Sequence, residues 1–208
     1  EKQIDAQHKL QNQIDIQKDF SGFTFFIPGN HDWYSGFDGL REQEKFITNQ
    51  LGEKSFLPRK GCSIEQLKIN ETVGLIVIDS QWFLEDWDKH KNINSECEIK
   101  TREDFFEEFE SLLNKNQNKI TLVALHHPIA SNGTHGGQTS IRKQLFPFQS
   151  SLPLPGIASV INILRKTTGA SPQDNQNPIY RSLINRIKTL LEDRENVIFV
   201  SGHDHNLE

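Results

Sequence analysis

The chain has 208 residues, which is long enough for one domain with a hydrophobic core. Hydrophobic residues make up 35% of it and charged residues 25%, proportions that are typical of a globular protein. The net charge of -5 argues against a nucleic-acid surface, which needs a basic patch. No apolar run reaches the ~18 residues that a membrane-spanning helix requires, so the sequence predicts no membrane segment.

The first quarter of the chain predicts a helix, a strand and a second helix. Residues 1–20 have a polar pattern with a loose apolar stripe, which favours an amphipathic helix. "FTFFIP" predicts a buried strand that ends at Pro28 and Gly29. "LREQEKFITNQLG" predicts a helix with Gly52 as its stop. The stripe of the first helix consists of Ile4, Leu10, Ile14 and Ile16.

The middle of the chain predicts three strands and a helix. "SIEQLKI" alternates like a half-exposed strand, whereas the continuous apolar run "VGLIVIDS" predicts a strand covered on both faces. "TREDFFEEFESLLNKN" predicts a helix with Thr101 as its N-cap. "ITLVALHHP" predicts another buried strand. The apolar stripe of the helix consists of Phe105, Phe109, Leu112 and Leu113.

The last third begins with a loop rich in Ser, Gly and Pro at residues 131–156. A short helix is predicted at "GIASVINILRKTTG", a linker at "SPQDNQNP", a helix at "YRSLINRIKTLLEDR" and a buried strand at "NVIFVSGHDH". Apolar strands that alternate with amphipathic helices predict a layered α/β fold. We expect a single domain over residues 1–208 with a long insertion at about 131–175.

Two further features concern cysteine and the start of the chain. Cys62 and Cys97 are not part of a CxxC pair, so a zinc finger is excluded, and one disulfide or two buried thiols are both open. The chain begins at Glu1 and contains no Met. We therefore expect further residues before Glu1.

Polar side chains follow three of the predicted strands. Five of the eight histidines lie at these strand ends. In layered α/β folds ligands bind beyond the carboxyl ends of strands, so these residues are expected to converge. Imidazole suits Zn, Mn and Fe, and Asn and Asp add oxygen ligands. The residues are Asn30, His31, Asp32, His126, His127, His203, Asp204 and His205.

The alternative for each strand end is a structural role. A single histidine in such a place is more often a hydrogen-bonded structural residue, and Gly-Asn and Gly-His pairs are common in turns. Three such ends in one chain favour a metal site. His203 and His205 point the same way if the backbone stays extended, and they could serve two metals ~3.5–4 Å apart.

Together, "GNHD" (29–32), "LHHP" (125–128) and "GHDH" (202–205) resemble the calcineurin-like metallophosphoesterase superfamily, which includes the purple acid phosphatases. The resemblance covers residues 23 to 205. It implies a four-layer β-sandwich flanked by helices, with the leading strands missing from this chain. It also implies hydrolysis of phosphoric esters by a metal-bridging hydroxide. The cofactors would be two divalent or trivalent metal ions (Mn, Fe or Zn), and no protein nucleophile is needed.

The resemblance assigns the metal ligands residue by residue. Asn30, His126 and His203 would bind the second metal, and His205 would bind the first. The remaining histidine of the strand-end pair, His127, would pack against the site or support it. An acidic chain that handles phosphate needs such a local positive charge.

The resemblance also assigns the residues that act on the substrate. His31 would contact the phosphate and protonate the leaving oxygen, and Asp32 would orient His31. His135 in the loop is either a substrate contact or a solvated residue. Asp79 would be structural or support the site. Trp33 and Tyr34 directly follow the "GNHD" block, and they either stack on a base or ring of the substrate or pack in the core.

The chain departs from the family pattern before residue 29. The family begins with an Asp-containing block and then a Gly-Asp block whose Asp bridges the metals. No Gly occurs in residues 1–20 and no Gly-Asp dipeptide occurs in the chain, and "DKH" at 88–90 is read as a solvated segment. We expect the intact protein to be a dinuclear hydrolase. For these 208 residues alone we expect weak or no metal binding and negligible turnover.

Two other functions remain open at this point. One is a non-catalytic relative that acts as a binding or scaffolding domain, and the other is a mononuclear metal-binding protein. As an enzyme, the protein would act on a phosphorylated small molecule or macromolecule, with residues 131–175 at the pocket rim. "GNHDWY" and the low cysteine content favour a bacterial protein, and the resemblance favours export.

Overall fold

A computed structural model of the chain describes residues 2–130 and 177–203, with side chains from residue 7 onward. Within these residues the helices are α1 (Lys2–Lys18), α2 (Gly36–Leu51), α3 (Ser80–Leu84), α4 (Arg102–Lys115) and α5 (Pro178–Leu191). The strands are β1 (Ile64–Lys68), β2 (Val73–Ile78), β3 (Ile120–Leu125) and β4 (Val197–Ser201). Two short 3₁₀ helices lie at Arg59–Gly61 and Trp87–Lys89.

The described strands form one mixed sheet in the order β1-β2-β3-β4. β1 pairs with β2 in antiparallel orientation, and β2, β3 and β4 are parallel. Ile78 pairs with Leu125 and Leu125 pairs with Ser201, so the three parallel strands end level with one another. The residues that follow these strands therefore leave the sheet at one edge. A mixed sheet flanked by helices confirms the predicted α/β fold class.

The predicted helices form where their capping signals lie. Thr101 and Asp104 make a capping box at the start of α4, in which each side chain accepts the other's backbone N–H. The side chain of Asn177 caps α5. Gly52 ends α2 with a φ of 97°, a conformation that glycine adopts without steric cost.

The core lies mainly on the face of the sheet that the helices cover. The side chains there are almost fully buried, and each such burial stabilises the fold by roughly 1.5–3 kcal/mol. The opposite face is covered over β1 and β2 by Leu57, Phe25 and Ile27 and becomes open towards β4. The helix-covered core includes Ile76, Ile78, Val123, Leu125, Phe105, Phe109, Leu183 and Ile187.

The predicted strand "FTFFIP" is wrong. Only Phe26 forms a bridge, with Phe56, and Phe23 is 87% exposed. Phe26 donates to Ser55 and accepts from Leu57 through backbone groups. The next donor in such a parallel ladder is residue 28, and Pro28 has no N–H. The segment is extended and half-buried but does not continue as a strand.

The expectation that the last strand is buried is also wrong. β4 contacts β3 on one side within the described residues, and its alternate side chains face away from the core. Ile198 is 52% exposed and Val200 is 55% exposed. An outer strand with one uncovered face buries only every second residue.

Cys62 and Cys97 form a disulfide with a Cα–Cα distance of 5.6 Å, which decides between the two alternatives for these residues. The bond ties the start of β1 to the segment before α4. The predictions for residues 131–156, for the helix at 156–169 and for the linker before Asn177 lie outside the described residues. No helix in the described part is both long and apolar enough to cross a membrane.

Candidate metal centre

The segment "GNHD" lies in a series of turns between Pro28 and α2. Backbone bonds run from Asp32 N–H to Gly29 C=O at 3.1 Å and from Tyr34 N–H to His31 C=O at 3.2 Å. The carboxylate of Asp32 accepts from Gly29 N–H at 2.6 Å and from the Gln43 amide at 2.7 Å. Asp32 therefore ties the turn to α2. Among the described residues neither oxygen has a hydrogen bond to the His31 ring, and the orienting role that the resemblance implies for Asp32 stays a prediction.

Three polar side chains from distant segments meet at the edge where the parallel strands end. Oδ1 of Asn30 lies 2.8 Å from Nε2 of His126, and the same nitrogen lies 3.1 Å from Nδ1 of His203. Asn30 is 3% exposed and His203 is 8% exposed. The sheet register explains the meeting of the two histidines, because His126 follows β3 directly and His203 follows β4 after one glycine.

The backbone at His203 turns its ring towards the other two groups. Gly202 N–H donates to the carbonyl of His126 at 3.1 Å, which extends the β3–β4 pairing past the strand ends. His203 then adopts a φ of 68°, in the left-handed region. This conformation costs a residue with a side chain of order 1–3 kcal/mol and is concentrated at functional sites.

Gly29 is needed because the ring of His126 lies against it. A Cβ atom at position 29 would come within 2.8 Å of Nδ1 and Cε1 of that ring. No side chain larger than hydrogen fits without displacing the imidazole. The glycine of "GNHD" thus serves the packing of a histidine 97 positions further along the chain.

His127 lies next to the converging groups, fully buried. Its ring centroid is 5.0 Å from that of His126 and 4.5 Å from that of His203. The nearest ligand atoms of these three histidines all lie within 4.8 Å of one another. Ser80 is the second residue after β2, and its Oγ lies within hydrogen-bond distance of Nδ1 of His127, at 2.8 Å.

His31 and Tyr34 form the exposed side of the site. Their rings contact each other with centroids 4.6 Å apart, and Tyr34 is 68% exposed. The phenol oxygen of Tyr34 lies 3.4 Å from Nδ2 of Asn30, so the amide presents its oxygen to His126. Trp33 is buried instead, and its indole N–H donates to Asp79 at 2.9 Å. Of the two neighbouring aromatic residues, only Tyr34 is accessible to a substrate.

Asp79 is a buried carboxyl group that contacts this turn through Trp33. Burial raises its pKa to about 7, although hydrogen bonds from Trp82 N–H and the Trp33 indole oppose that shift. The sequence reasoning gave Asp79 an open role and did not single out Ser80 at all. The sequence did contain a signal for both residues. Asp79 and Ser80 are the first two residues after β2, and β2 is parallel to β3.

The donor set fits a transition metal. One amide oxygen and two imidazoles are ligands that Mn, Fe and Zn accept. Donors that share one ion at ~2.1 Å each lie ~3 Å apart, and the contacts of 2.8 Å and 3.1 Å are close to that separation. His135, Asp204 and His205 lie outside the described residues.

Comparison with known proteins identifies the family of the chain. A family model for the calcineurin-like phosphoesterases matches residues 5–207. The chain belongs to this family. Searches of curated proteins and of solved structures found no match. Membership of the calcineurin-like phosphoesterases confirms the metallophosphoesterase resemblance and supports a hydrolase activity in general terms.

Proposed function

We propose that the protein is a metal-dependent hydrolase of phosphoric esters and that Asn30, His126 and His203 are ligands of one of its metals. The observation that carries this proposal is the contact of these three donors, brought together from segments 96 and 77 positions apart. A structural histidine cluster would not need an amide oxygen and a left-handed backbone at the same point. Membership of the calcineurin-like phosphoesterase family supports the reaction class.

His31 is the residue that meets the substrate in this proposal. It is exposed, whereas the neighbouring Asn30 is buried, so one turn presents a ligand inwards and a proton donor outwards. Bound metal ions supply Lewis-acid stabilisation of the phosphoryl charge and make water more acidic. His31 contacts the phosphate and donates a proton to the leaving oxygen.

Hydrogen bonds from nearby side chains hold this turn in place. Asp32 fixes the turn against α2 through Gln43, and Tyr34 fixes the Asn30 amide. A ligand whose amide is already oriented loses less freedom when it binds a metal. The site is thus arranged before any ion enters.

We also propose a second metal with His205 as one of its ligands, and the family resemblance supports this part of the proposal. The bridging carboxylate of the family pattern has no Gly-Asp counterpart in these residues. We therefore propose that the 208-residue chain binds metal weakly and turns over little. The substrate is a phosphorylated small molecule or macromolecule, reached past His31 and Tyr34.

The test uses the protein as its gene encodes it, with Mn²⁺ or Fe²⁺ added. Binding is measured by isothermal titration calorimetry, and hydrolysis with p-nitrophenyl phosphate and bis-p-nitrophenyl phosphate. We expect His126→Ala and His203→Ala to weaken metal binding by more than the about 10–100-fold that the loss of a residue supporting a ligand costs. We expect His31→Ala to lower kcat by about 100-fold, with metal affinity kept. His8→Ala, an exposed change on α1, is the matched histidine control.

Three results would contradict the proposal in different ways. Metal binding without hydrolysis of either ester would favour a mononuclear metal-binding protein. Neither binding nor hydrolysis would favour a scaffolding domain. Equal affinities for His126→Ala and His8→Ala would show that the metal binds elsewhere.

A further inference from the structure

Two adjacent polar residues at the end of β2, Asp79 and Ser80, are both fully buried. Burial of a carboxyl and a hydroxyl is costly unless each finds partners. β2 lies next to β3 in parallel register, with Ile78 opposite Leu125, so the pair emerges beside His126 and His127. The hydrogen-bond partners of Asp79 and Ser80 include residues of the candidate site as well as residues of their own segment.

Asp79 reaches the turn that carries Asn30 and His31. One oxygen accepts from Trp82 N–H at 3.0 Å and caps the short helix α3. The other oxygen accepts from the indole N–H of Trp33 at 2.9 Å, across 46 positions of the chain. Trp33 is 3% exposed and follows the "GNHD" segment directly. Its bond to Asp79 therefore fixes how closely the turn packs against the end of β2.

Ser80 reaches the histidines on the other side. His127 N–H donates to Oγ at 3.0 Å, and Oγ lies 2.8 Å from Nδ1 of the same residue. The hydroxyl has one proton and two lone pairs, so this bond forms with either tautomer of the ring, and it fixes the plane of the imidazole. The fixed ring packs against His203 at 4.5 Å and against His126 at 5.0 Å.

We propose that Asp79 and Ser80 are positioning residues that align the two halves of the metal centre. Asp79 places the turn with Asn30 and His31 through Trp33. Ser80 places His126 and His203 through His127. The inference rests on the proposed function, because it assigns a task to the residues behind the proposed ligands.

A purely structural role would require fewer hydrogen bonds than Asp79 and Ser80 make. A cap on the five-residue helix α3 uses one carboxylate oxygen, yet the second oxygen bonds to the tryptophan of the "GNHDW" turn. The hydroxyl of Ser80 bonds twice to a single residue, and that residue lies between the sheet and two proposed ligands. Both contacts therefore end at the site.

The first test separates alignment from stability with matched tryptophan variants. Trp33→Phe removes the indole N–H that reaches Asp79, and Asp79→Ala removes the acceptor of that N–H. We expect each to lower kcat with p-nitrophenyl phosphate by about 10-fold, with KM changed less than about 2-fold. Combined, they should lose no more than Asp79→Ala alone, because the indole N–H has no acceptor once the carboxylate is gone.

The control is Trp82→Phe. The Trp82 indole is also buried and donates to a side chain, Asn94, at 2.6 Å, and its ring contacts within the described residues are with Trp87 and Phe105 rather than with the turn. We expect it to lower the denaturation midpoint and leave kcat unchanged. Losses that multiply in the double variant, or an equal loss of kcat in Trp82→Phe, would overturn the role of Asp79.

The second test reads the histidine rings in metal-free protein, independently of turnover. Long-range ¹H–¹⁵N spectra report the tautomer of each ring, and Ser80→Ala should change the His127 signals together with those of His126 and His203. Mn²⁺ affinity should fall by about 10-fold in the same variant. Unchanged signals of His126 and His203 would overturn the role of Ser80. An unsubstituted protein without metal binding or hydrolysis would refute the proposed function, while the ring signals still decide the positioning.

Discussion

The amide oxygen of Asn30 lies 2.8 Å from Nε2 of His126, and 96 positions of the chain separate the two residues. The contact exists because the turn after Pro28 packs against the end of β3. Gly29 permits it, since its missing side chain leaves room for the imidazole. The contact between Asn30 and His126 therefore depends on the absence of a side chain at Gly29.

Gly29→Ala should weaken metal binding by about 10-fold or more, because the new Cβ would lie 2.8 Å from the His126 ring and displace a proposed ligand. The measurement is titration with Mn²⁺. Gly202→Ala is the matched control, since its Cβ would lie at an ordinary contact distance of 3.7 Å from Nδ1 of the same ring. Equal affinities for the two variants would show that the ring position does not matter.

Asp79 should give the stability a dependence on pH. Because its pKa in the folded protein is raised to about 7 from 3.8, its contribution to stability is complete below about pH 4 and is lost as the pH rises through about 7. At about 1.4 kcal/mol per pKa unit, the loss is at most about 4.5 kcal/mol.

Asp79→Asn does not titrate and should remove this decline. The free energy of unfolding of the metal-free protein minus that of the variant should fall as the pH rises from about 4 to about 7. Urea denaturation of both proteins at several pH values in this range measures the difference. A difference that stays constant over this range would contradict the raised pKa of Asp79.

The Cys62–Cys97 disulfide should stabilise the protein by about 3–4 kcal/mol, because it closes a loop of 35 positions in the unfolded chain. The Cys62→Ser, Cys97→Ser double variant should lose this amount in urea denaturation. Disulfides persist in oxidising compartments. Alkylation of protein taken from its native host should therefore find no free thiol, and two reactive thiols would mean that the bond does not form there.

The open part of the sheet should promote self-association. Ile198 and Val200 lie on the same face of β4 and are 52% and 55% exposed. Ile198→Thr keeps a β-branched residue in the strand but removes apolar surface, so sedimentation velocity should show weaker association, with a stability change below about 1 kcal/mol. Ile16→Thr on α1, where the side chain is 72% exposed, is the control. Similar effects of both changes would place the contact surface elsewhere.

Much of the fold could be predicted from local signals. The helix after Thr101 carries its own capping box and apolar stripe, and Gly52 stops α2. β2 was predicted from a continuous apolar run, and its burial agrees with that prediction. These elements were accessible because their causes lie within a few residues of one another.

The two incorrect strand predictions had non-local causes. "FTFFIP" has the composition of a strand, but its possible partner and the proline at position 28 allow one bridge only. The run before Gly202 is apolar, but its burial depends on what lies beside β4 in the sheet. Composition shows that a segment can be buried, whereas only the neighbours decide whether it is.

The sequence by itself determined the chemistry of the candidate centre. It placed imidazoles and an amide after three strand-like segments, and the order of these motifs pointed to the family that the comparison then confirmed. Only the tertiary structure decided the distances among Asn30, His126 and His203 and the partners of Asp79 and Ser80. The reason is physical: side-chain chemistry is a property of each residue, but contacts across 46 to 96 positions depend on sheet register and packing, which no local pattern encodes.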